Sequence, residues 1–174
     1  KPGEIPELWG LFLQDLPKEL ESKNGEPTED SMIAYNIYNS LEQAGYRTFF
    51  AKKSLESKLG QEYEPYIYAA LMSATVMIVL GTKTEYYNST WVKNEWSRFL
   101  ELKKENKHKT LIACFKNMSP YEMPMEFSAF QSFDLNKIGY VEYLVEGVNH
   151  VIQNSKRKNG VLPNEETSEV NRLE

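Results

Sequence analysis

The stretch Ser89–Lys104 puts a carboxylate where a helix would place its core-facing side chains. With Trp91 set at zero on a wheel of ~100° per residue, Leu102, Phe99, Val92 and Trp96 fall at roughly 20°, 80°, 100° and 140°. Glu95 falls at about 40°, inside this apolar stripe, while Lys93, Asn94, Ser97, Arg98 and Lys104 take the other side. A carboxylate aimed at the core is costly unless it is paired, hydrogen-bonded or set in a cleft. In a cleft it is equipped for electrostatic or acid–base work, although structural ion pairs perturb carboxylates too. A glutamate near a helix N-terminus, favoured there by the dipole, accounts for the pattern equally well. Trp91, one turn earlier, reads on pattern alone as a core aromatic.

Other chemistries find less support. Cys114 is the single cysteine, so the chain forms no internal disulfide, and with only His108 and His150 it supplies no tetrahedral Cys/His zinc site. That cysteine usage points to a reducing, cytoplasmic compartment. No G-x-G-x-x-G, no P-loop and no Ser-centred nucleophile elbow occurs. A net charge of −5 argues against broad binding to nucleic acid or an anionic membrane. The longest apolar run, Val76–Leu80, is strand-sized and far short of the ~20 residues that span a bilayer. Hydrophobic residues make up 41% and charged residues 26% of the 174, which excludes a wholly disordered chain and leaves room for one domain. The opening Lys1-Pro2-Gly3-Glu4 has neither an initiator Met nor a leader pattern, as expected of a piece of a longer chain with further domains.

The elements that would position Glu95 alternate between two periods. Trp9–Leu13 is a short apolar run, followed by a long polar loop containing Asn24-Gly25 and Pro27. A helix capped by Asp30 or Ser31 carries Ile33, Ile37, Leu41 and Ala44 on one face and stops at Gly45. Tyr46–Phe50 is a β-rich run, the polar loop Ala51–Glu62 follows, and a helix bears Ile67, Ala70 and Leu71. Thr75–Leu80 and Thr110–Phe115 read as strands buried on both faces. Lys116–Phe127, with Pro120 and Pro124, is expected to be irregular apart from one helical turn. Phe130–Leu135 suggests an edge strand, and Tyr140–Ile152 a last helix. Residues 7–154 thus form one domain and 155–174 a polar tail or linker, in which Lys156-Arg157-Lys158 is a solubilising cluster. Alternation of this kind predicts a doubly wound α/β domain, a flavodoxin-like three-layer αβα sandwich around a mostly parallel five-stranded sheet. Its ligand crevice would lie beyond the carboxyl ends of the strands.

Tyr86–Glu95 (YYNSTWVKNE), just after the strand TVMIVL, resembles the W-x-x-x-E signature of bacterial Toll/interleukin-1 receptor (TIR) domains. GYRTFF resembles that family's second strand, and Leu55–Ala70 with Gly60 its BB loop and following helix; the resemblance runs from about Ala34 to Ile152. Gly81-Thr82-Lys83 stands where the family often has serine, and Val92 where it often has cysteine. Phe12-Leu13-Gln14-Asp15-Leu16 replaces the usual Ser-Tyr pair after the first strand, so contacts of that loop do not carry over. The BB loop also lacks the tryptophan frequent in bacterial members.

The resemblance implies an NAD⁺ glycohydrolase, with NAD⁺ as substrate and no cofactor or metal. The glutamate that catalytic members use maps onto Glu95, beside an oxocarbenium-like transition state of the kind glycosidic bonds pass through. Trp91 would stack on the nicotinamide ring, with Phe50 and Lys52 as further substrate contacts. Leu55 and Leu59 would anchor a self-assembly loop, making other TIR domains the partners, in an effector of bacterial antiviral defence. Two further classes stay open: a TIR module that binds other TIR domains without chemistry, and a nucleoside deoxyribosyltransferase-like enzyme.

Overall fold

The computed structural model describes residues 10–14, 29–54, 60 and 62–158. Five strands, β1 (Leu11–Leu13), β2 (Thr48–Phe49), β3 (Val76–Gly81), β4 (Thr110–Phe115) and β5 (Ser132–Asp134), form one sheet in the order β2-β1-β3-β4-β5. Every neighbouring pair is parallel. The register between β3 and β4 runs unbroken from Val76↔Thr110 to Gly81↔Phe115. These two strands are the continuous apolar runs of the sequence, and helices cover both their faces, so neither face needs a polar alternation. This is the flavodoxin-like α/β fold expected from the alternation of elements.

Helices α1 (Glu29–Gln43) and α6 (Tyr140–Lys158) cover one side of the sheet. There Ile37, Leu41, Leu144 and Val148 pack on Leu11, Leu13, Ile78 and Ile112. Helices α3 (Glu64–Ser73) and α5 (Thr90–Glu105) cover the other, where Ile67, Leu71, Trp96 and Phe99 meet Phe12, Met77, Val79 and Leu111. The period of two along each strand divides the core into these layers.

Local signals explain the boundaries. Gly45, at φ 91°, ends α1: its N–H bonds the Glu42 carbonyl while Tyr46 N–H reaches back to Leu41, a Schellman closure. Two single-turn helices are present, α2 (Ala51–Ser54) at the start of the segment read as a polar loop and α4 (Thr84–Tyr87) after β3. One turn is too short to show a helical period. The proline-containing segment after β4 holds two 3-10 turns, Pro120–Glu122 and Met125–Phe127, rather than one. Helix α6 runs on past Ile152 to Lys158, so the basic cluster continues its last turn.

No residue pattern announces how α3 ends. Lys109, buried just before β4, sends Nζ to the carbonyls of Leu71 (3.0 Å), Met72 (2.8 Å) and Ala74 (2.6 Å) and rests over the Phe99 ring. The ammonium thus caps carbonyls that a helix C-terminus leaves without partners. Burial draws its pKa down to about 8.

Candidate functional site

In the order β2-β1-β3-β4-β5 the chain reverses direction of travel between β1 and β3. In open α/β sheets a crevice forms outside the carboxyl ends of the strands at such a point. Here those ends are Leu13-Gln14 and Gly81, and the connection leaving Gly81 leads through α4 into α5. The first two turns of α5 therefore stand beside the crevice, and they carry Trp91 and Glu95.

That end of α5 is held from several sides. Trp96 Nε1 donates to the Tyr87 carbonyl at 2.8 Å, and Gln14 Nε2, from the end of β1, donates to the Val92 carbonyl at 2.6 Å. Phe127 packs edge-on against both Trp96 and Tyr87, with ring centroids 4.9 and 5.7 Å away. Tyr87 in turn donates its hydroxyl to the Cys114 carbonyl at 2.5 Å. Its ring lies so close over Gly81 that a Cβ there would overlap it. Burial, with Cys114 adding to it, pushes the Tyr87 phenol far above its ordinary pKa, so it stays a neutral donor.

On this base Glu95 is only 5% exposed, between Val92 and Trp96. The helical wheel placed it on the core side, and there it lies. Trp91 is 50% exposed, at the outer edge of the same helix face. A buried carboxylate with a half-exposed aromatic one turn away is suited to a flat, positively charged ligand. Among the described residues no three His, Cys, Asp or Glu side chains cluster as a metal site.

A family model described as the TIR domain matches residues 26–146. The chain belongs to the TIR-domain family. The TIR domains in the structure of the activated Roq1 resistosome, directly recognising the pathogen effector XopQ, share this fold. They have 16% identity and a TM-score of 0.59, over 80% of this chain and 99% of theirs. A metazoan TIR-STING receptor from C. gigas also shares it, with 13% identity, a TM-score of 0.55 and coverage of 83% of this chain and 41% of that one. No curated protein sequence matches.

The TIR fold does not bring all the expected site residues together. Phe50 is buried on the opposite side of the sheet, its ring against Tyr35 and Tyr38 at 5.3 and 5.5 Å. Strand alternation is the reason: Phe49 takes the side of α5 and stacks on Phe12 at 5.1 Å, which turns Phe50 away. Its ring therefore does not share a face with Glu95. Lys52 lies in α2, its side chain outside the described residues, as are Leu55 and Leu59. Sequence reasoning gave Gln14 no role, yet the structure ties it to the first turn of α5. The available signal was its place as the first polar residue after the LFL strand, two positions from Phe12. No described helix is long and apolar enough to cross a membrane.

Gly81, at the end of β3, has no room for a side chain. Any side chain at this position would displace the Tyr87 ring, which joins the ends of β3 and β4 to the start of α5.

Proposed function

We propose that this TIR domain is an NAD⁺ glycohydrolase that breaks the bond between nicotinamide and ribose. The observation that carries the reading is the burial of the Glu95 carboxylate on α5, beside the β1/β3 crevice. A module that only binds other TIR domains has no need of a carboxylate there, because burying one costs stability.

The chemistry follows from charge. NAD⁺ carries its positive charge on the nicotinamide nitrogen. As the C1′–N bond breaks, its electron pair goes to that nitrogen, and the charge moves to the ribose as an oxocarbenium-like cation. A carboxylate beside the ribose stabilises that cation more than the ground state and orients the ribose hydroxyls. Water then adds to C1′ and gives up a proton, yielding nicotinamide and ADP-ribose; attack by the substrate's own adenine would give a cyclic isomer. Trp91 stacks on the nicotinamide ring at the mouth of the crevice. Lys52, in α2 just beyond β2, would add a further substrate contact, whereas Phe50 faces the other side of the sheet.

The Roq1 neighbour is an activated resistosome, which supports activation of this domain by self-association; we assign the contact to the loop bearing Leu55 and Leu59. In that reading it is an assembly-triggered effector, in keeping with a role in bacterial antiviral defence. Incubation with NAD⁺ and, separately, with deoxynucleosides, followed by chromatography, tests the proposal. Nicotinamide release supports it; base exchange on deoxynucleosides alone points to a deoxyribosyltransferase. Binding to other TIR domains with neither reaction points to a scaffold.

A further inference from the structure

The chain leaves β3 at Gly81 and enters α5 at Thr90, and one side chain in between reaches back to the sheet. Tyr87, the last residue of α4, is fully buried. Its hydroxyl lies 2.5 Å from the carbonyl of Cys114 in β4 and 3.3 Å from that of Gly81. Carbonyls only accept, so the phenol donates its proton to this pair. Both carbonyls belong to the last rungs of the β3/β4 ladder, where Leu80 pairs with Cys114 and Gly81 with Phe115. At its other end Tyr87 offers its own backbone carbonyl, which accepts the indole N–H of Trp96 at 2.8 Å. Trp96, itself buried, directly follows Glu95 in α5.

One residue thus spans from the carboxyl ends of two central strands to the neighbour of Glu95. The span has little freedom. Phe127 packs edge-on against both Tyr87 and Trp96, and a Cβ on Gly81 would come within 2.3 Å of the Tyr87 ring. A residue that only filled this space would need no hydroxyl, because phenylalanine has nearly the same shape and buries no polar group. The hydroxyl adds direction rather than volume. It ties the ring, and through the Tyr87 backbone the second turn of α5, to the sheet.

We propose that Tyr87 is a positioning residue for the cleavage reaction, a strut that sets where Glu95 stands relative to the carboxyl ends of β3 and β4. The proposal rests on the reading of the domain as an NAD⁺ glycohydrolase. The strut touches no substrate and acts through Trp96 on the helix that carries the carboxylate. Its leverage comes from geometry, since a misplacement of about 1 Å in a catalytic group can cost about 10²-fold in rate.

The test is nicotinamide release by wild type, Tyr87→Phe, Glu95→Gln, the Tyr87→Phe/Glu95→Gln double variant and Lys109→Met, with the Trp96 indole N–H followed by NMR. Tyr87→Phe keeps the ring against Phe127 but releases both strand ends, so kcat should fall about tenfold or more while KM stays within about threefold. In the Glu95→Gln background the same change should cost less than about threefold in kcat, because the strut acts only through the Glu95 charge. Lys109→Met loosens the opposite end of the same layer and should lose stability without losing kcat per folded molecule. The Trp96 indole resonance should shift in Tyr87→Phe and stay in place in Lys109→Met. Gly81→Ala keeps the hydroxyl but drives the ring aside, so it should reproduce the kcat loss. A folded Tyr87→Phe protein with wild-type kcat, or an equal loss with and without Glu95, overturns the positioning role and leaves NAD⁺ cleavage standing. An unshifted Trp96 resonance in Tyr87→Phe overturns the strut whatever the kinetics. A wild-type protein that releases no nicotinamide overturns both the reading and the role that rests on it.

Discussion

Glu95→Gln removes one negative charge and almost no volume from a position 5% exposed to solvent. The expected loss follows from Coulomb's law. A unit charge about 5 Å from the ribose cation, at an effective dielectric of about 20, is worth about 3 kcal/mol. At about 1.36 kcal/mol per factor of ten, that is roughly 10²- to 10³-fold in rate. Removing a single preorganised electrostatic group from an enzyme site typically has an effect of this size. How the loss divides between kcat and KM is informative, because NAD⁺ is already cationic before the bond breaks. A carboxylate beside the ribose favours the transition state and shows up in kcat, whereas one beside the pyridinium nitrogen would show up chiefly in KM. With Glu95 beside the ribose, the loss should fall in kcat.

The same substitution makes a second prediction. Glutamine escapes the desolvation cost of the buried charge and keeps an acceptor oxygen in nearly the same place, so the protein should stay folded, with a cooperative thermal transition. The assay is nicotinamide release at equal protein concentration, run beside a thermal melt of wild type, Glu95→Gln and Glu95→Asp. Aspartate keeps the charge but draws it back by one methylene, so its kcat should fall between the other two. A folded Glu95→Gln protein that keeps its kcat within about threefold of wild type would refute the electrostatic role.

Trp91→Ala removes a ring that is half in solvent, so it should raise KM for NAD⁺ about tenfold while Tm stays nearly constant; a collapsed thermal transition with unchanged KM would make the ring a core residue. Lys109→Met strands the carbonyls of Leu71, Met72 and Ala74 and should cost about 3–5 kcal/mol of stability, read by denaturant unfolding, with kcat per folded molecule unaltered. Because burial depresses the Lys109 pKa from 10.5 to about 8, the unfolded chain holds more protons between those values. Its contribution to stability should therefore rise from pH 8 toward 10.5, and this part of the pH dependence should vanish from the Lys109→Met melt profile. Specific activity should climb faster than linearly with protein concentration, and Leu55→Asp or Leu59→Asp should flatten the climb without unfolding the domain; a flat wild-type profile over a roughly hundredfold dilution would separate this loop from activation.

The parts of this fold that were legible in the sequence are those whose burial leaves a pattern along the chain. β3 and β4 could be read because strands covered on both faces must be apolar at every position. Glu95 could be placed because α5 is long enough, at 16 residues, to define a wheel on which one carboxylate stood out. β2 spans only Thr48–Phe49, too short for alternation to set its phase, so Phe50 could not be assigned to a side of the sheet. The tie from Gln14 to Val92 joins residues 78 apart, and the Lys109 cap reaches carbonyls 35 to 38 residues away. Backbone carbonyls as partners carry no side-chain identity, so no pattern of residue types announces such contacts.

Two buried polar groups, Lys109 and Gln14, occupy opposite ends of the layer between the sheet and α5, and they are satisfied to different degrees. At the amino end of β4 the three donors of Lys109 meet three carbonyls, and the Phe99 ring covers its charge. Nothing is left over, as expected of a group whose work is to hold α3 and α5 against the sheet. At the carboxyl end of β1 the Gln14 amide spends its donor on Val92 and keeps an acceptor, and the same helix buries the carboxylate of Glu95. Both groups lie in a low-dielectric setting, where a polar group is expensive to bury unless it is compensated. In the proposed reading it is the Glu95 charge, held at this end of α5, that a migrating positive charge on the substrate would complement.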